Sequence, residues 1–390
     1  MTEPRDQPLN LAPASVMDYR DLARRKLPRQ LFDYIDGGAY AESTMRANVG
    51  DLREIHLRQR ILRDVSDIDL SAEVLGESLS LPVILGPVGL AGMFSRRGEV
   101  AAARAAEQEG IRFCESTVSI CSIEEVEAAT GVPFWFQLYV MRDRGYAEAL
   151  MGRARNAGCS TLVLTVDLAV VGARYRDTRN GMMDTISGAK KLVRAWDILS
   201  HLGWVRDVAV RGKPLTFGNL EAAVPGARSP AGFKDWVDGQ FDPSVTWDDL
   251  AWVREHWDGK LVLKGILDVD DARRAAEAGA DAIVVSNHGG RQLDDVRSTA
   301  AALPPIAEAV GSKLEVLVDG GIRSGLDVVK MLALGARACL LGRAWTYAVA
   351  GGGQEGVAHV IRIIREEMGV AMALTGKRSL ADLGPDVLDR

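Results

Sequence analysis

The residues best suited to chemistry stand where short apolar runs end. His288 follows the run AIVV (282–285) within SNHGGRQLD (286–294). An imidazole there can be a general base, a metal ligand or a satisfied packing residue. Asp167 closes STLVLTVD (160–167). Its carboxylate can accept the ring N–H of a histidine and raise that ring's basicity. Lys264 follows three apolar residues in LVLKGI (261–266). A lysine inside an apolar strand is costly unless it is paired or faces an anion. It can be a Schiff-base nucleophile, a fixed cation beside a cofactor, or a strand-end lysine that reaches water. Arg174 and Arg291 offer two forks for a substrate carboxylate. The remaining ends carry Pro87-Val88-Gly89, Ser116, Gln137, Tyr139, Thr165, Ser286, Asp319, Arg323, Gly342 and Arg343.

Two of these ends are rich in both glycine and arginine, DGGIRSG (319–325) and LGR (341–343). Bare backbone N–H groups at a helix start hold a phosphate, and arginine adds charge. A metal site is not expected. No HExxH occurs, and His56, His201, His256 and His359 fall in helical or loop contexts. Cys114, Cys121, Cys159 and Cys339 are scattered without a CxxC, so neither zinc nor a disulfide framework is implied.

The elements that must position these groups are eight β-rich runs, at 81–89, 111–116, 133–140, 160–167, 261–266, 282–290, 314–321 and 337–344. Most are apolar throughout, as in parallel strands covered on both faces. Helical patterns separate them. DVDDARRAAEAGA (268–280) opens on the N-cap Asp268 and closes on Gly279; SGLDVVKMLALGA (324–336) repeats the plan with Ser324 and Gly335. Eight strand–helix repeats predict a single-domain (β/α)8 TIM barrel over residues 1–390, with a doubly wound open sheet as the alternative. Residues 1–80 are expected to form N-terminal capping helices. Residues 168–245 form one long insertion after strand four, too long for a plain loop. In a barrel, all the groups above lie on the C-terminal, active face.

Composition limits the possible functions. The chain has 390 residues, 47% hydrophobic and 26% charged, with a net charge of −6. That charge gives no support for nucleic-acid binding. The start, MTEPRDQPLNLAPAS, lacks the apolar stretch of a signal peptide, so a cytoplasmic location is expected.

Taken together, SNHGGRQLD, YIDGGA (34–39), QLYV (137–140), TVD (165–167), KGI (264–266) and DGGIRSG resemble the FMN-dependent α-hydroxy-acid dehydrogenase and oxidase family. The resemblance runs from about residue 15 to 380. Within the family, YIDGGAYAESTMRAN (34–48), LRQRIL (57–62), PVGLAGMFSRRGEV (87–100) and GARYRD (172–177) are most similar to the bacterial respiratory L-lactate dehydrogenases. The resemblance implies FMN at the barrel mouth, its phosphate among Gly321, Arg323, Gly342 and Arg343. It implies an isoalloxazine against Pro87, Val88 and Gly89, Ser116, Gln137, Thr165 and Lys264, with Ser286 and Asp319 as further cofactor positions. It implies a substrate carboxylate held by Tyr34, Arg174 and Arg291, Tyr139 near the substrate hydroxyl, and His288 as catalytic base oriented by Asp167. Homo-oligomers, commonly tetramers, also follow from the resemblance. Two positions depart from it. Val118 stands where plant glycolate oxidases carry tryptophan, which favours lactate over glycolate, and Gly89 stands where many oxidases carry alanine.

Within the insertion, KKLVRAWDILSHLGWVRDVAVRGK (190–213) sets tryptophan and leucine between basic residues. That pattern suits an amphipathic helix on a membrane surface or an active-site lid. The expected function is FMN-dependent oxidation of L-lactate to pyruvate, with electrons passing to a quinone or another respiratory acceptor from the inner face of the cell membrane. The alternatives are an oxidase releasing hydrogen peroxide, a Schiff-base lyase using Lys264, and a barrel that only binds a phosphate-bearing ligand.

Overall fold

A computed structural model describes residues 11–139, 141–182, 188–224 and 239–389. Val140, and residues 183–187 and 225–238 of the insertion, lie outside them. Eight strands close into a parallel barrel: β1 (Val83–Leu85), β2 (Arg112–Ser116), β3 (Trp135–Tyr139), β4 (Thr161–Thr165), β5 (Lys260–Ile266), β6 (Ala282–Val285), β7 (Glu315–Val318) and β8 (Ala338–Leu341). Each falls within one of the eight apolar runs except β5, which starts one residue earlier, at Lys260. β1, β4, β6 and β8 are buried at every position, which explains why their sequences do not alternate.

The barrel is filled, not hollow. Ile84, Cys114, Trp135, Val163, Val262, Val284, Leu317 and Leu340 meet inside it. A short hairpin, Ala72–Val74 with Glu77–Leu79, closes its N-terminal end. The hairpin adds Val74, Leu75 and Leu79 to that core. Its Glu77 takes hydrogen bonds from the Trp135 indole and the Ser160 hydroxyl and pairs with Arg112. Residues 1–80 are thus not helical throughout: helices Val16–Lys26, Arg29–Asp36 and Ser43–Glu54 come first, then this plug.

Asp268 caps Val269–Glu277 by accepting from the Asp270 amide at 2.8 Å. Ser324 caps Gly325–Ala333 by accepting from the Asp327 amide at 3.1 Å. Gly279 and Gly335 follow those helices at φ +79° and +112°, where a side chain would be strained. The described insertion holds Tyr175–Arg179, then Ala189–Ser200, then a short α-helical turn Leu202–Trp204 that runs into a wider π-helical turn, Val205–Val210. The helix expected over 190–213 is therefore broken at His201, whose ring Nδ1 and neighbouring Ser200 hydroxyl both bond the Asp197 carbonyl.

Candidate active site

Barrel register lines up the first set of groups. Tyr139 pairs with Thr165, and Thr165 with Lys264, so three adjacent strands deliver them in one row. Ser116 lies opposite Gln137 one strand earlier. Gly265 breaks the β5–β6 register at φ +114°, and a Cβ there would lie 2.6 Å from the Asp167 Cβ. Glycine in KGI therefore makes room for Asp167.

His288 leaves β6 in an unusual backbone. His288, Gly289 and Gly290 all have positive φ, at 57°, 64° and 71°. This turn swings the ring off the strand end. Nδ1 lies 2.9 Å from Asp167 Oδ1, which leaves Nε2 for the cavity. Burial lowers the His288 pKa, Lys264 and Arg174 push the same way, and Asp167 opposes them. Burial alone would raise Asp167, yet His288 and Lys264 hold its carboxyl below the usual range. The pair is thus a neutral imidazole on an ionised carboxylate.

Lys264 is buried, 2.9 Å from Asp319 Oδ2 and 3.0 Å from Ser286 Oγ. Burial opposes its charge, but Asp319 and Asp167 outweigh that and raise its pKa. A Schiff-base lysine needs the opposite shift. Ser286 Oγ also accepts the His288 amide at 3.0 Å, so the hydroxyl links cation and base.

Arg291 is held by backbone. Its Nη1 donates to the Tyr34 and Gly37 carbonyls at 2.6 and 2.8 Å, and its guanidinium stacks 4.9 Å from the Tyr34 ring. Arg174 sits 5.7 Å from the same ring. Burial and the neighbouring Arg174 lower Arg291 to about 9. Two guanidiniums share one ring, with the buried Asp177 carboxylate 4.0 Å from Arg174, so the pair keeps an excess of positive charge that attracts an anion. Arg343 reaches the Gly289 and Gly37 carbonyls at 2.9 and 2.7 Å, and burial lowers it to about 10. The YIDGGA loop therefore fixes two arginines through its carbonyls, a role that its side chains do not reveal.

A cavity of about 650 Å³ collects these groups. Tyr34, Pro87, Val88, Gly89, Gln137, Tyr139, Thr165, Arg174, Lys264, His288, Arg291, Asp319, Gly321, Arg323, Gly342 and Arg343 all line it. Ser116, Asp167 and Ser286 stand one step behind its wall. Ser116 donates to Gln137 Oε1 at 3.1 Å, which turns the amide nitrogen the other way. Gly290 is not at the cavity: a Cβ there would lie 2.5 Å from the Met45 amide nitrogen, so this glycine serves packing against helix Ser43–Glu54. The far wall includes Leu31, Met93 and Phe241, which in sequence look like ordinary core, and Ile198 and Trp204 from the segment 190–213, where the lid alternative placed them.

The profile of the FMN-dependent dehydrogenase family matches residues 23–390. The chain belongs to that family. It is 55% identical over 375 residues to an L-lactate dehydrogenase of Caulobacter vibrioides, covering 96% of this chain and 97% of that one. It is 54% identical over 371 residues to an L-lactate dehydrogenase of Ectopseudomonas mendocina, covering 95% and 97%. Among solved structures, the monotopic membrane protein (S)-mandelate dehydrogenase matches with a TM-score of 0.89 at 37% identity, over 97% of this chain and 99% of that one. A mandelate oxidase matches with a TM-score of 0.81 at 38% identity, over 97% and 98%.

The cavity of this FMN-dependent dehydrogenase suits its cofactor. Gln137 Nε2, Asp319 Oδ1 and Arg343 Nε are buried without partners among the described residues. A flavin's ring carbonyls and N–H groups, and its phosphate, would satisfy such atoms. The helix beginning at Arg343 has no side-chain cap, so its first N–H groups stay free for a phosphate. Arg323 and Arg343 supply cations beside it. Among the described residues no cluster of metal-ligating side chains occurs.

Proposed function

We propose that this enzyme oxidises L-lactate to pyruvate and passes the electrons to a quinone in the membrane. The observation that carries the chemistry is His288: its Nδ1 is committed to Asp167 and its ring opens onto a cavity shared with Arg174 and Arg291. The arginines hold the substrate carboxylate and Tyr34 steadies both. Tyr139, whose pKa burial raises, stays protonated and donates toward the substrate hydroxyl. His288 takes a proton, and Asp167 stabilises the imidazolium that forms. Bound FMN would supply the two-electron redox chemistry that links the substrate to the next acceptor. Gln137, Thr165, Lys264, Asp319 and the Pro87–Gly89 backbone would hold its ring, while Gly321, Arg323, Gly342 and Arg343 would hold its phosphate. Ser116 and Ser286 act by fixing Gln137 and Lys264. The 55% identity to an L-lactate dehydrogenase supports lactate as the substrate.

Anaerobic mixing tests this reading. L-Lactate should bleach the flavin absorbance, D-lactate should not, and (S)-mandelate should do so more slowly. A quinone should then restore the colour faster than oxygen does. Rapid return in air with release of peroxide would assign an oxidase instead.

Membrane contact has its own support. Leu192, Val193, Trp196 and Leu202 are each at least 70% exposed, beside Lys190, Lys191 and Arg194. The similar mandelate dehydrogenase is a monotopic membrane protein. No helix among the described residues is long and apolar enough to cross a membrane, so the proposed contact is peripheral, on the inner face. Leu192→Gln with Trp196→Gln should cut binding to anionic vesicles about tenfold or more, since each substitution removes an inserted apolar side chain. Unchanged flotation with vesicles would disprove this contact.

A further inference from the structure

The cavity must hold FMN beside a small hydroxy acid, and its lining is of two kinds. Part of the lining is polar, with His288, Arg174 and Arg291. Another part is mostly apolar, with Leu31, Met93, Ile198 and Trp204, and Arg194 is its charged member. A lactate-sized anion gains little from that second wall.

The helix Ala189–Ser200 stands between this apolar side and the exterior. Arg194 and Ile198, one turn apart, line the cavity. Leu192, Trp196 and Leu199 lie on the opposite face, at 73%, 75% and 57% exposed. No residue of the helix is buried. Within described residues 188–204, two hydrogen bonds tie the stretch to the body: the Arg29 amide to Asp197 Oδ2 at 2.8 Å, and the Trp204 indole to the Met93 carbonyl at 2.8 Å. The partition is one helix thick and lightly latched.

We infer that the apolar side is the binding site of a hydrophobic quinone, which enters beneath this helix between Met93 and Ile198, with Trp204 as the latch. The inference rests on the proposed quinone acceptor and adds its place. Three features select this occupant: the wall is mostly apolar, it is continuous with the redox cavity, and the outer face of the same helix is the proposed bilayer contact. The quinone ring lies toward the barrel mouth and its isoprenoid tail leaves past Ile198. The balance closes. The hydroxy acid loses two electrons and two protons on becoming a 2-oxo acid, and the quinone gains two electrons and two protons on becoming a quinol.

The test uses the FMN-loaded enzyme in detergent micelles, so that membrane affinity does not enter. Ile198→Gln should raise the KM for a short-tailed ubiquinone about tenfold, the loss expected for one apolar contact. The KM for L-lactate and turnover with ferricyanide should stay unchanged. Trp196→Gln, on the outer face, should leave the quinone KM unaltered. Independently of turnover, a photoreactive azido-ubiquinone should label the oxidised enzyme on peptides containing Leu31, Met93 or Ile198, and excess unlabelled quinone should suppress the label. An unaltered quinone KM in Ile198→Gln, a parallel rise in the lactate KM, or labelling elsewhere overturns the site. If the unmodified enzyme reduces ferricyanide but no quinone, the acceptor reading itself fails, and this site with it.

Discussion

Replacing His288 with glutamine lowers kcat by about 10²–10⁴-fold while FMN stays bound, because a positioned base typically contributes that much. Glutamine can still donate to Asp167 but cannot take the proton. Retained flavin absorbance in the purified variant separates lost chemistry from lost structure. The pH profile of the unmodified enzyme supplies the second check. Burial holds His288 below its ordinary value of 6.5. The base works in its neutral form, so kcat/KM is full above that value and falls as pH drops through the lowered pKa. Asp167 is the group that raises the His288 pKa, so Asp167→Asn moves the acid limb to still lower pH. It also lowers kcat, because the imidazolium loses its stabilising carboxylate. An acid limb that stays in place in Asp167→Asn, or near-normal turnover in His288→Gln, would remove His288 from the reaction.

The parts of this site that were legible in the sequence are those that side-chain type reports. An apolar strand ending in histidine, lysine or aspartate is costly without a purpose, and each such residue proved to lie at or directly behind one cavity. The strands were legible for a related reason: a short β-branched run such as AIVV, bounded by turn residues, suits a parallel strand buried on both faces. Backbone acceptors carry no such signal. That Arg291 and Arg343 would be held by the carbonyls of the YIDGGA loop depends on where helix Arg29–Asp36 ends, not on the loop's side chains. The role of Gly290 was equally hidden, since a glycine beside a catalytic residue reads as ligand access whether it faces a ligand or Met45. The hairpin at Ala72–Leu79 escaped because its strands are three residues long and rich in polar groups, too short to show a period. The insertion was visible by its length. Its course was not, because an exposed helix with an apolar outer face breaks the rule that apolar means inside.

Lys264→Met should have the second large effect, a fall in kcat of about 10²–10³-fold, the usual consequence of removing a fixed donor from where charge develops. It also leaves Asp319 buried beside no cation. Breaking a buried pair on one side costs about 3–5 kcal/mol, so the variant should unfold at lower temperature as well. The two losses can be separated. Lys264→Met with Asp319→Asn removes both charges, and unfolding should move back toward the unmodified enzyme. Turnover should not follow if Lys264 is the cation proposed to face the cofactor, which the double variant still lacks. The flavin reduction potential gives a reading that a purely structural role would not move: it should fall in Lys264→Met, since a positive charge near the ring favours the reduced anion, and recover in part once Asp319→Asn removes the opposing charge. The lyase alternative meets its test at the same residue. Asp319 and Asp167 keep Lys264 protonated, and a protonated amine does not attack a carbonyl. Borohydride added with pyruvate should therefore leave Lys264 unmodified. Recovery of turnover in the double variant would show that Lys264 serves the fold alone, and a reduced adduct on its Nζ would show that the barrel works by covalent catalysis.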